Sequence, residues 1–402
     1  MTTQYQSILD WLDKQSPVMT DMLSRLVRIN SHSLNLTGLK NFSRELEELL
    51  QVFETKVEHV DLPDWESIGP DGKAVSRSLG QALCLRKRPD APRQLFFMIH
   101  MDTVYSPDTH SFDVQMKNNR LIGPGVADAK GGLVVMLKAL EAFECAPVKN
   151  EIGWTMLLNP DEEIGSPGTK HILPSLLNGI ETAILFEPSL PNGDLVGARK
   201  GSGNFTLFAK GKAAHAGRNP QDGKNAVTAL AEAVVKIDSL NGSRPGLTVN
   251  VGVIEGGTAV NVVPDRAAVH FNVRLEHKQD AEFFSREVET MIRDLSAARG
   301  VELRLHGGLS APPKEMDEPT IAVYQHIRQC GEELGLSLNW QPSGGVSDGN
   351  RIAALGIPTV DTLGVRGGSI HSEDEYCHID SLTERAKLTT LYLLKLASGE
   401  FD

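Results

Sequence analysis

Cysteine is scarce in this sequence. The 402 residues include four cysteines, which are Cys84, Cys145, Cys330 and Cys377. They are widely separated, so no Cys-x-x-Cys spacing indicates a redox motif or a cysteine-based zinc site. Disulfide frameworks are typical of short secreted chains, and this chain is long. We therefore expect four ordinary thiols.

Long apolar runs are also missing. The sequence has no stretch of about 18 uninterrupted apolar residues, the length that a transmembrane helix requires. The N-terminal segment MTTQYQSILDWLDKQ has no basic stretch followed by an apolar one, so it does not resemble a secretory signal. The sequence predicts a cytoplasmic protein with no membrane partner.

Positive charge is in deficit. The chain has 40 Lys and Arg against 52 Asp and Glu, which gives a formal net charge of −12. Its basic runs are short, such as RKR at 86–88. Binding of nucleic acid or anionic lipid requires a basic surface. We expect neither partner.

The sequence does contain an alternation of strand and helix patterns. Apolar runs at 94–100, 153–159 and 182–187 are separated by helical patterns at 131–143 and 169–177. Continuous apolar strands with helices between them indicate a mainly parallel sheet covered by helices on both faces. The predicted fold class is therefore α/β, and functional residues are expected at the strand ends.

The pattern changes near residue 200. From there the elements follow the order strand-helix-strand-strand-helix-strand, with helices at about 224–239 and 279–299. This is the order of a ferredoxin-like α+β domain. A chain of this length can form two cores. We predict a catalytic domain formed by residues 1–198 and 312–402, with an inserted domain at 199–311.

Three consecutive acids, Asp161, Glu162 and Glu163, follow the apolar run GWTMLLN. The ordinary interpretation of such a triplet is a solvated turn at the end of a strand. If the carboxylates are buried, however, their mutual repulsion requires a cation or a shared proton nearby. The presence of further candidate metal ligands elsewhere in the chain would favour the buried cluster over the solvated turn.

Four residues at other strand ends and loops are candidate metal ligands. His100 ends FFMIH, Asp128 lies in GPGVADAKGG, Glu187 ends TAILFE, and His371 lies in GGSIHSEDEY. Each has an ordinary alternative, since Asp128 alone would be a helix N-cap and the others core or surface residues. Asp102 follows His100 by two residues, so an extended strand places both side chains on one face. A carboxylate there suits the orientation of a ligand histidine.

Taken together, the candidates account for two metal ions. Two zinc ions with four ligands each require eight metal–ligand bonds. Asp128 and a water molecule, each bridging both ions, would supply four of them. The other four would come from His100, Glu163, Glu187 and His371. The negative charge of the ligands then balances the ions, which makes burial tolerable. Glu162 stays free, placed to move a proton from water to a leaving group. We predict two Zn²⁺ per chain, with Co²⁺ or Mn²⁺ able to substitute.

A series of motifs in order resembles those of a known family. The motifs are HMDTV, GPGVADAKGG, NPDEEIGSPG, LFEPS, GKAAHAG, GTAVNVVPD and IHSEDEY, spread over about residues 95–385. The sequence resembles the di-zinc amidohydrolases and exopeptidases, which include glutamate carboxypeptidase, acetylornithine deacetylase, succinyl-diaminopimelate desuccinylase and aminoacylase. LFEPS and HSEDEYCHIDSL look most like the glutamate carboxypeptidase branch.

The resemblance implies a role for each catalytic residue. It implies that Glu162 is the general base and acid and that Asp102 orients His100. It also implies a cis peptide bond between Asp128 and Ala129. The metal ligands that it implies are His100, Asp128, Glu163, Glu187 and His371.

The resemblance further implies that the inserted domain is a lid that forms a homodimer. His215, in AAHAG, would reach into the partner's site and bind the substrate carbonyl. Asn261 and Arg274 would bind substrate, and Arg suits a carboxylate because it can pair with both oxygens. Gly344 and Gly345 begin GGVSDGN, which the family places beside the substrate carboxylate. Without the resemblance, AAHAG would be interpreted as a loop and Arg274 as a solvated charge.

The predicted activity is zinc-dependent hydrolysis of an amide or peptide bond next to a free α-carboxylate, as in glutamate carboxypeptidases. The substrate partner is then a small acyl-amino acid or peptide. Within the class, an N-acyl-amino-acid deacylase or a dipeptidase remains open. A non-catalytic metal-binding scaffold is the alternative from another class, but a scaffold has no need of a base such as Glu162. A two-metal phosphodiesterase is disfavoured because the acidic composition repels polyanionic substrates.

Overall fold

The computed structural model describes residues 5–68, 74–108 and 112–401. Its largest sheet has six strands, in the order β1 (Glu58–Val60), β4 (Ala82–Lys87), β8 (Ile152–Asn159), β5 (Arg93–His100), β9 (Thr182–Leu185) and β18 (Thr359–Val360). Strands β8, β5, β9 and β18 are parallel, whereas β4 is antiparallel to both of its neighbours. The predicted α/β fold with a mainly parallel sheet is confirmed.

Strand β5 shows why the sheet strands are apolar throughout. Leu95, Phe97 and Ile99 belong to the core on one face of the sheet. Phe96 and Met98 belong to the core on the opposite face. Successive strand residues point to opposite faces, so a strand covered on both sides needs an apolar residue at every position.

Helices cover both faces of this sheet. The larger core includes residues of α1 (Gln6–Asp13), α2 (Ser16–Val27), α3 (Leu36–Leu50), α4 (Lys130–Glu144), α8 (Glu318–Glu333) and α10 (Asp380–Ala397). The opposite core includes residues of α5 (Thr169–Leu176) and α9 (Asp348–Ala354). Helix α4 is buried along nearly its whole length, and it begins directly after the Asp128 loop. The main core therefore supports the loop that carries a candidate ligand.

A second, antiparallel sheet is formed between residues 201 and 311. Its strands are, in order, β13 (Thr248–Gly256), β15 (Arg266–Leu275), β11 (Gly201–Lys210) and β16 (Glu302–Ala311). Helices α6 (Ala226–Asp238) and α7 (Lys278–Arg299) share a separate core with it. The chain order is the strand-helix-strand-strand-helix-strand order predicted from the sequence.

Shorter strands connect and flank these layers. Three pairs are β10 (Leu195–Arg199) with β17 (Trp340–Ser343), β12 (Ala214–His215) with β14 (Val262–Val263), and β2 (Trp65–Ile68) with β3 (Ala74–Arg77). A four-stranded sheet has the order β19 (Gly367–Gly368), β20 (Tyr376–His378), β7 (Arg120–Ile122) and β6 (Gln115–Lys117). Strands β19 and β20 flank the loop that carries His371.

All four cysteines are free thiols. Cys145 is exposed, and the other three are buried. Burial raises the pKa of the Cys377 thiol, so this residue stays protonated at neutral pH. The prediction of ordinary thiols is confirmed. Separately, no helix within the described ranges has the length and apolar content that membrane crossing requires.

Candidate metal centre

The first group of candidate ligands lies at the carboxyl ends of the parallel strands. His100 ends β5, Glu187 follows β9, and Asp128 lies in the loop before α4. His100 Nε2 is 3.1 Å from Asp128 Oδ1 and 3.8 Å from Glu187 Oε2. All three residues are buried. Parallel strands end at the same edge of the sheet, which is why residues far apart in sequence meet here.

The second group shares Asp128 with the first. His371 Nε2 is 3.2 Å from Asp128 Oδ2 and 3.3 Å from Glu163 Oε2. The two oxygens of Asp128 thus face two different histidines. Within each group the ligand atoms lie within 4.8 Å of one another, as a single bound ion requires. The structure brings together all five residues that the sequence predicts as ligands.

The donor atoms fit a divalent metal. Imidazole nitrogens and carboxylate oxygens are the ligands that zinc, cobalt and manganese accept in proteins. Glu163 Oε1 is buried, and it has no hydrogen-bond partner among the residues described. A buried carboxylate oxygen without a partner is costly, and a cation would remove that cost.

The electrostatics of the cluster also favour a cation. Burial raises the pKa of Glu163 to about 7, and the nearby negative charge of Asp128 acts in the same direction. Burial likewise raises the pKa of Glu187. Burial alone would lower the pKa of His100, but the charge of Glu187 and hydrogen bonds to Asp102 and Asp128 raise it well above its usual value. The cluster is short of positive charge, which divalent ions would supply.

Glu162 lines the same cavity but belongs to neither group of ligands. It lies with Glu163 in a short 3-10 turn, Glu162–Ile164, after β8 has ended. Burial raises the pKa of Glu162 well above its usual value, and the positive charge that His100 would carry opposes this rise. The sequence-based division of the acidic triplet, with one ligand and one free carboxylate, is compatible with this geometry.

Asp161, the first acid of the triplet, has a local structural role. Its carboxylate accepts hydrogen bonds from the backbone N–H groups of Gly168 and Thr169, at 2.8 and 3.0 Å, and from the Thr169 hydroxyl. It therefore ties the start of α5 back to the loop that carries Glu162 and Glu163.

Asp102 lies in the loop that follows β5, where it contacts both His100 and the acidic turn. Strand β5 ends at His100, so the argument that alternation along a strand places the two side chains together is wrong. His100 Nδ1 is 3.0 Å from the Asp102 main-chain oxygen and 3.5 Å from its carboxylate. The carboxylate accepts hydrogen bonds from the backbone N–H groups of Glu162 and Glu163, both at 3.1 Å, and from the Ser33 hydroxyl at 2.6 Å. Asp102 thus connects His100 to the acidic turn.

Asp128 is not the N-cap of the helix that follows it. Helix α4 has Ala129, not Asp128, at its N-cap position, and no side chain caps it. The N-cap interpretation of Asp128 is therefore wrong, and its carboxylate is directed to the histidines instead. The peptide bond between Asp128 and Ala129 is cis, as the resemblance implies.

Sequence analysis did not identify Glu375. Its buried carboxylate accepts hydrogen bonds from the backbone N–H groups of Gly125, Ala127 and Asp128 at 2.8–3.0 Å. It also accepts a 2.5 Å hydrogen bond from the Tyr105 hydroxyl, which lies 3.0 Å from the Ser372 main-chain oxygen. Glu375 therefore holds the loop of one candidate ligand against the loop of another. The available signal was its place in IHSEDEY, four residues after His371.

A cavity of about 700 Å³ is lined by four of the candidate ligands, Asp128, Glu163, Glu187 and His371. Arg274 of β15 and Gly345 line it. Gly344 lies in an adjoining cavity, and its main-chain oxygen is 3.5 Å from Arg274 Nη1. Sequence analysis also missed Arg199, which lines both cavities. Arg199 is held by Asp361 at 2.6 Å and donates to the Gly345 oxygen at 3.3 Å.

His215 and Asn261 lie elsewhere, and neither is among the described residues that line this cavity. They are close to each other, since the Ala216 N–H donates to the Asn261 main-chain oxygen at 3.0 Å. His215 is exposed, and its Nδ1 accepts hydrogen bonds from the backbone N–H groups of Gly217 and Arg218. Within one chain, the structure does not bring these two residues into the cavity that the candidate ligands line.

Comparison with known proteins places the chain in a family. The sequence model of peptidase family M20/M25/M40 matches residues 96–395. Carboxypeptidase G2 of Pseudomonas sp. (strain RS-16) is 23% identical, over 96% of this chain and 91% of that protein. A succinyl-diaminopimelate desuccinylase of Thioalkalivibrio sulfidiphilus (strain HL-EbGR7) is 31% identical, over 78% of this chain and 86% of that protein.

Solved structures show the same fold. A dinuclear metal-binding peptidase of the M20 family from Bacillus subtilis superimposes with a TM-score of 0.68 and 15% identity, over 96% of this chain and 99% of that one. The family match includes every candidate ligand. The chain is a metallohydrolase that belongs to peptidase family M20/M25/M40.

Proposed function

We propose that this protein is a di-zinc hydrolase that cleaves an amide or peptide bond next to a free α-carboxylate, in the manner of a glutamate carboxypeptidase. The observation that carries the proposal is the position of Asp128 between two ligand groups, in a cavity that Glu162 and Arg274 also line. The relative named carboxypeptidase G2, which aligns over nearly the whole chain, supports this choice.

The two ions would share Asp128. His100 and Glu187 would complete one site, and Glu163 and His371 the other. Bound there, two divalent ions would polarise the scissile carbonyl and make water more acidic. Zinc is proposed because nitrogen and oxygen ligands of this kind suit it, although Co²⁺ or Mn²⁺ would fit the same donors. The description of the Bacillus subtilis structure as dinuclear supports the number of ions.

Glu162 would move the proton. It lines the cavity without belonging to either ligand group, so its carboxylate is free to act. In the proposed reaction it accepts a proton from the attacking water and delivers it to the leaving nitrogen, as a general base and then a general acid. Asp102, bonded to the Glu162 N–H, would hold the turn in place.

The carboxylate of the substrate would bind where Arg274 meets the Gly344–Gly345 turn. Arg274 Nε donates to Asn272 Oδ1 at 3.1 Å, which fixes the direction of the guanidinium. Arg199 adds a second positive charge at the same end of the cavity. Guanidinium groups suit this role because they can donate two parallel hydrogen bonds to a carboxylate.

We further propose a homodimer in which His215 of one chain, with Asn261 beside it, completes the partner's site. The exposed position of His215, outside the cavity that its own chain's candidate ligands line, supports this arrangement. Strand β13 is at the edge of its sheet and exposes Val253 and Ile254, as a surface that pairs with a second copy would. A cytoplasmic location remains part of the proposal, on the sequence features given above.

An N-acyl-amino-acid deacylase is the second candidate, because the aligned desuccinylase shares 31% identity with this chain. Incubation of the zinc-loaded protein with acyl-glutamates, acyl-ornithines, N-acetyl amino acids and dipeptides tests both. We expect the highest kcat/KM for an acyl-glutamate or a peptide ending in glutamate. A preference for acyl-ornithines or other acyl-diamino acids would favour the deacylase instead.

A further inference from the structure

A row of basic side chains crosses the small sheet formed by β19, β20, β7 and β6. The strand pairing aligns Lys117 of β6 with Arg120 of β7, and Arg120 with His378 of β20. Residues paired across adjacent strands project from the same face of a sheet. All three line one cavity of about 500 Å³, together with Asn118 and Ile122. None of these five residues lines the cavity of the candidate metal centre.

The hairpin turn between β6 and β7 fixes the position of this row. Asn118 and Asn119 have positive φ angles of 49° and 60°, as the central residues of a type I′ turn do. The turn places Lys117 directly opposite Arg120. The Asn119 main-chain oxygen also accepts a 3.0 Å hydrogen bond from the Ile379 N–H. The tip of the hairpin is thereby attached to the end of β20, so the basic side chains extend from a preformed surface.

The charges of Lys117 and Arg120 are not neutralised within the part of the chain that the structure describes, where neither residue makes an ion pair with a carboxylate. The Arg120 guanidinium carbon instead lies 4.0 Å from the centre of the Tyr376 ring, in a cation–π contact. Like charges directly opposite each other on adjacent strands destabilise a sheet. An anion bound between Lys117 and Arg120 would remove this repulsion.

The surroundings of His378 also have more positive than negative influence. Burial lowers the pKa of His378, and the charges of Arg366 and Arg120 lower it further. Asp380 and Glu384 act in the opposite direction, but each acts less strongly than either arginine. Both carboxylates are already paired with Arg366, at 3.0 and 3.2 Å. An anion in the cavity would therefore be attracted from the β20 side as well.

We propose that this cavity binds the phosphate group of a small molecule, either inorganic phosphate or a phosphomonoester. A phosphate dianion presents several acceptor oxygens at once, and ammonium and guanidinium groups are the donors that bind it in proteins. The cavity has the size of a small-molecule site. A polyanion such as nucleic acid is not proposed, because the formal net charge of −12 would repel it beyond this short row.

The test is calorimetric titration of inorganic phosphate and of glycerol 3-phosphate into the zinc-loaded protein at constant ionic strength. The double variant Lys117→Gln/Arg120→Gln removes both unneutralised charges and leaves the candidate metal ligands in place. We expect the dissociation constants to rise at least about tenfold, as loss of a charge-assisted hydrogen bond produces. Arg286→Gln/Arg293→Gln is the matched control, because it removes the same charge from exposed positions on α7.

The two compounds distinguish the source of the phosphate group. Tighter binding of glycerol 3-phosphate would identify a phosphomonoester, and tighter binding of inorganic phosphate would identify the free anion. Each single variant, Lys117→Gln and Arg120→Gln, should lose part of the affinity, which keeps the test valid if the double variant does not fold.

Four results would overturn the proposal. The first is equal affinity in the wild-type protein and the double variant, which would assign the phosphate to bound zinc or to another surface. The second is an equal loss of affinity in the control variant, and the third is binding of neither compound by the wild-type protein. The fourth is binding of tetra-glutamate but of neither phosphate compound, which would indicate an acidic protein segment as the partner.

Discussion

The backbone N–H of Asp128 donates a 2.9 Å hydrogen bond to the buried carboxylate of Glu375. The same carboxylate holds two more backbone N–H groups of the Asp128 loop. Because Asp128 is shared between both ligand groups, the position of this loop bears on both proposed ions.

Replacement of Glu375 should therefore weaken metal binding. In Glu375→Gln the amide NH₂ group replaces one acceptor oxygen and faces donors, so part of the loop loses its partner. We expect zinc affinity to fall about 10- to 100-fold, as for other residues that support metal ligands. Competition with a chromophoric chelator measures it. Glu373→Gln, at an exposed position in the same loop, is the control. Equal affinities in the two variants would contradict the role of Glu375.

The two neighbouring glutamates should respond differently to the same change. Glu162→Gln keeps the size of the side chain and removes its ability to accept a proton, so kcat should fall about 10²- to 10⁴-fold while metal content stays near normal. Glu163→Gln should instead lose metal, because Glu163 lies 3.3 Å from His371 in the second ligand group. Steady-state kinetics and elemental analysis of both variants check this. Loss of metal from Glu162→Gln would show that the two roles are assigned incorrectly.

Metal content should be two ions per chain after reconstitution with zinc. Each ligand group includes Asp128, so neither ion keeps a full set of protein ligands without it. Asp128→Asn should therefore weaken both ions together and not one alone. Elemental analysis after dialysis measures the content. Full activity with a single tightly bound ion would rule out the shared-aspartate arrangement.

The proposed exchange of His215 between chains can be tested with two inactive variants. If His215 acts in the partner's site, a mixed dimer of Glu162→Ala and His215→Ala chains has both defects in one site and none in the other. Activity should then reappear on mixing. If His215 acts within its own chain, every site keeps one defect. A mixture as inactive as its parents, with subunit exchange confirmed by mass spectrometry, would exclude the exchange.

Glu144, which belongs to neither ligand group, should make the stability of the folded protein depend on pH. It pairs with Arg88 through both oxygens, at 2.5 and 2.8 Å, and accepts a 2.9 Å hydrogen bond from the Trp154 indole. Burial opposes the charged form, but the bonds to Arg88 and Trp154 outweigh it and lower the pKa of Glu144 from 4.5 to about 2.

A carboxylate whose pKa is lower in the folded protein than in the unfolded chain stabilises the protein at pH values above the unfolded-state pKa. This stabilisation is lost as the pH falls toward the folded-state pKa. Glu144→Gln should thus cost about 3 kcal/mol at pH 7, and about half of that at pH 3. Urea unfolding at the two pH values measures the difference. Glu141→Gln, on the same helix, is the control. A cost independent of pH would show that the pKa of Glu144 is not lowered in the folded protein.

Local features of the chain were predictable from the sequence. Strands such as 94–100 and helices such as 131–143 match the structure within a residue or two, because a period of two or of 3.6 residues is a property of neighbouring positions. The order of elements in 201–311 was predicted for the same reason. The candidate ligands could be found because they occur at strand ends and in motifs with characteristic spacing.

Contacts between distant residues could not be predicted in this way. Glu375 bonds a backbone group 247 positions away, and Asp102 bonds the turn of Glu162 about 60 positions away. Every residue except proline has a backbone N–H group. The sequence therefore does not show which of these groups a distant carboxylate will bind.

The sequence by itself therefore determined which segments form strands and helices, and which charged side chains stand at their ends. The tertiary structure decided how those side chains combine: that Asp128 faces two histidines, that Glu162 stays outside both ligand groups, and that His215 does not line its own chain's cavity. The physical reason is that periodicity arises from local backbone geometry, whereas ligand groups form only when the ends of parallel strands and their loops pack at one edge of the sheet.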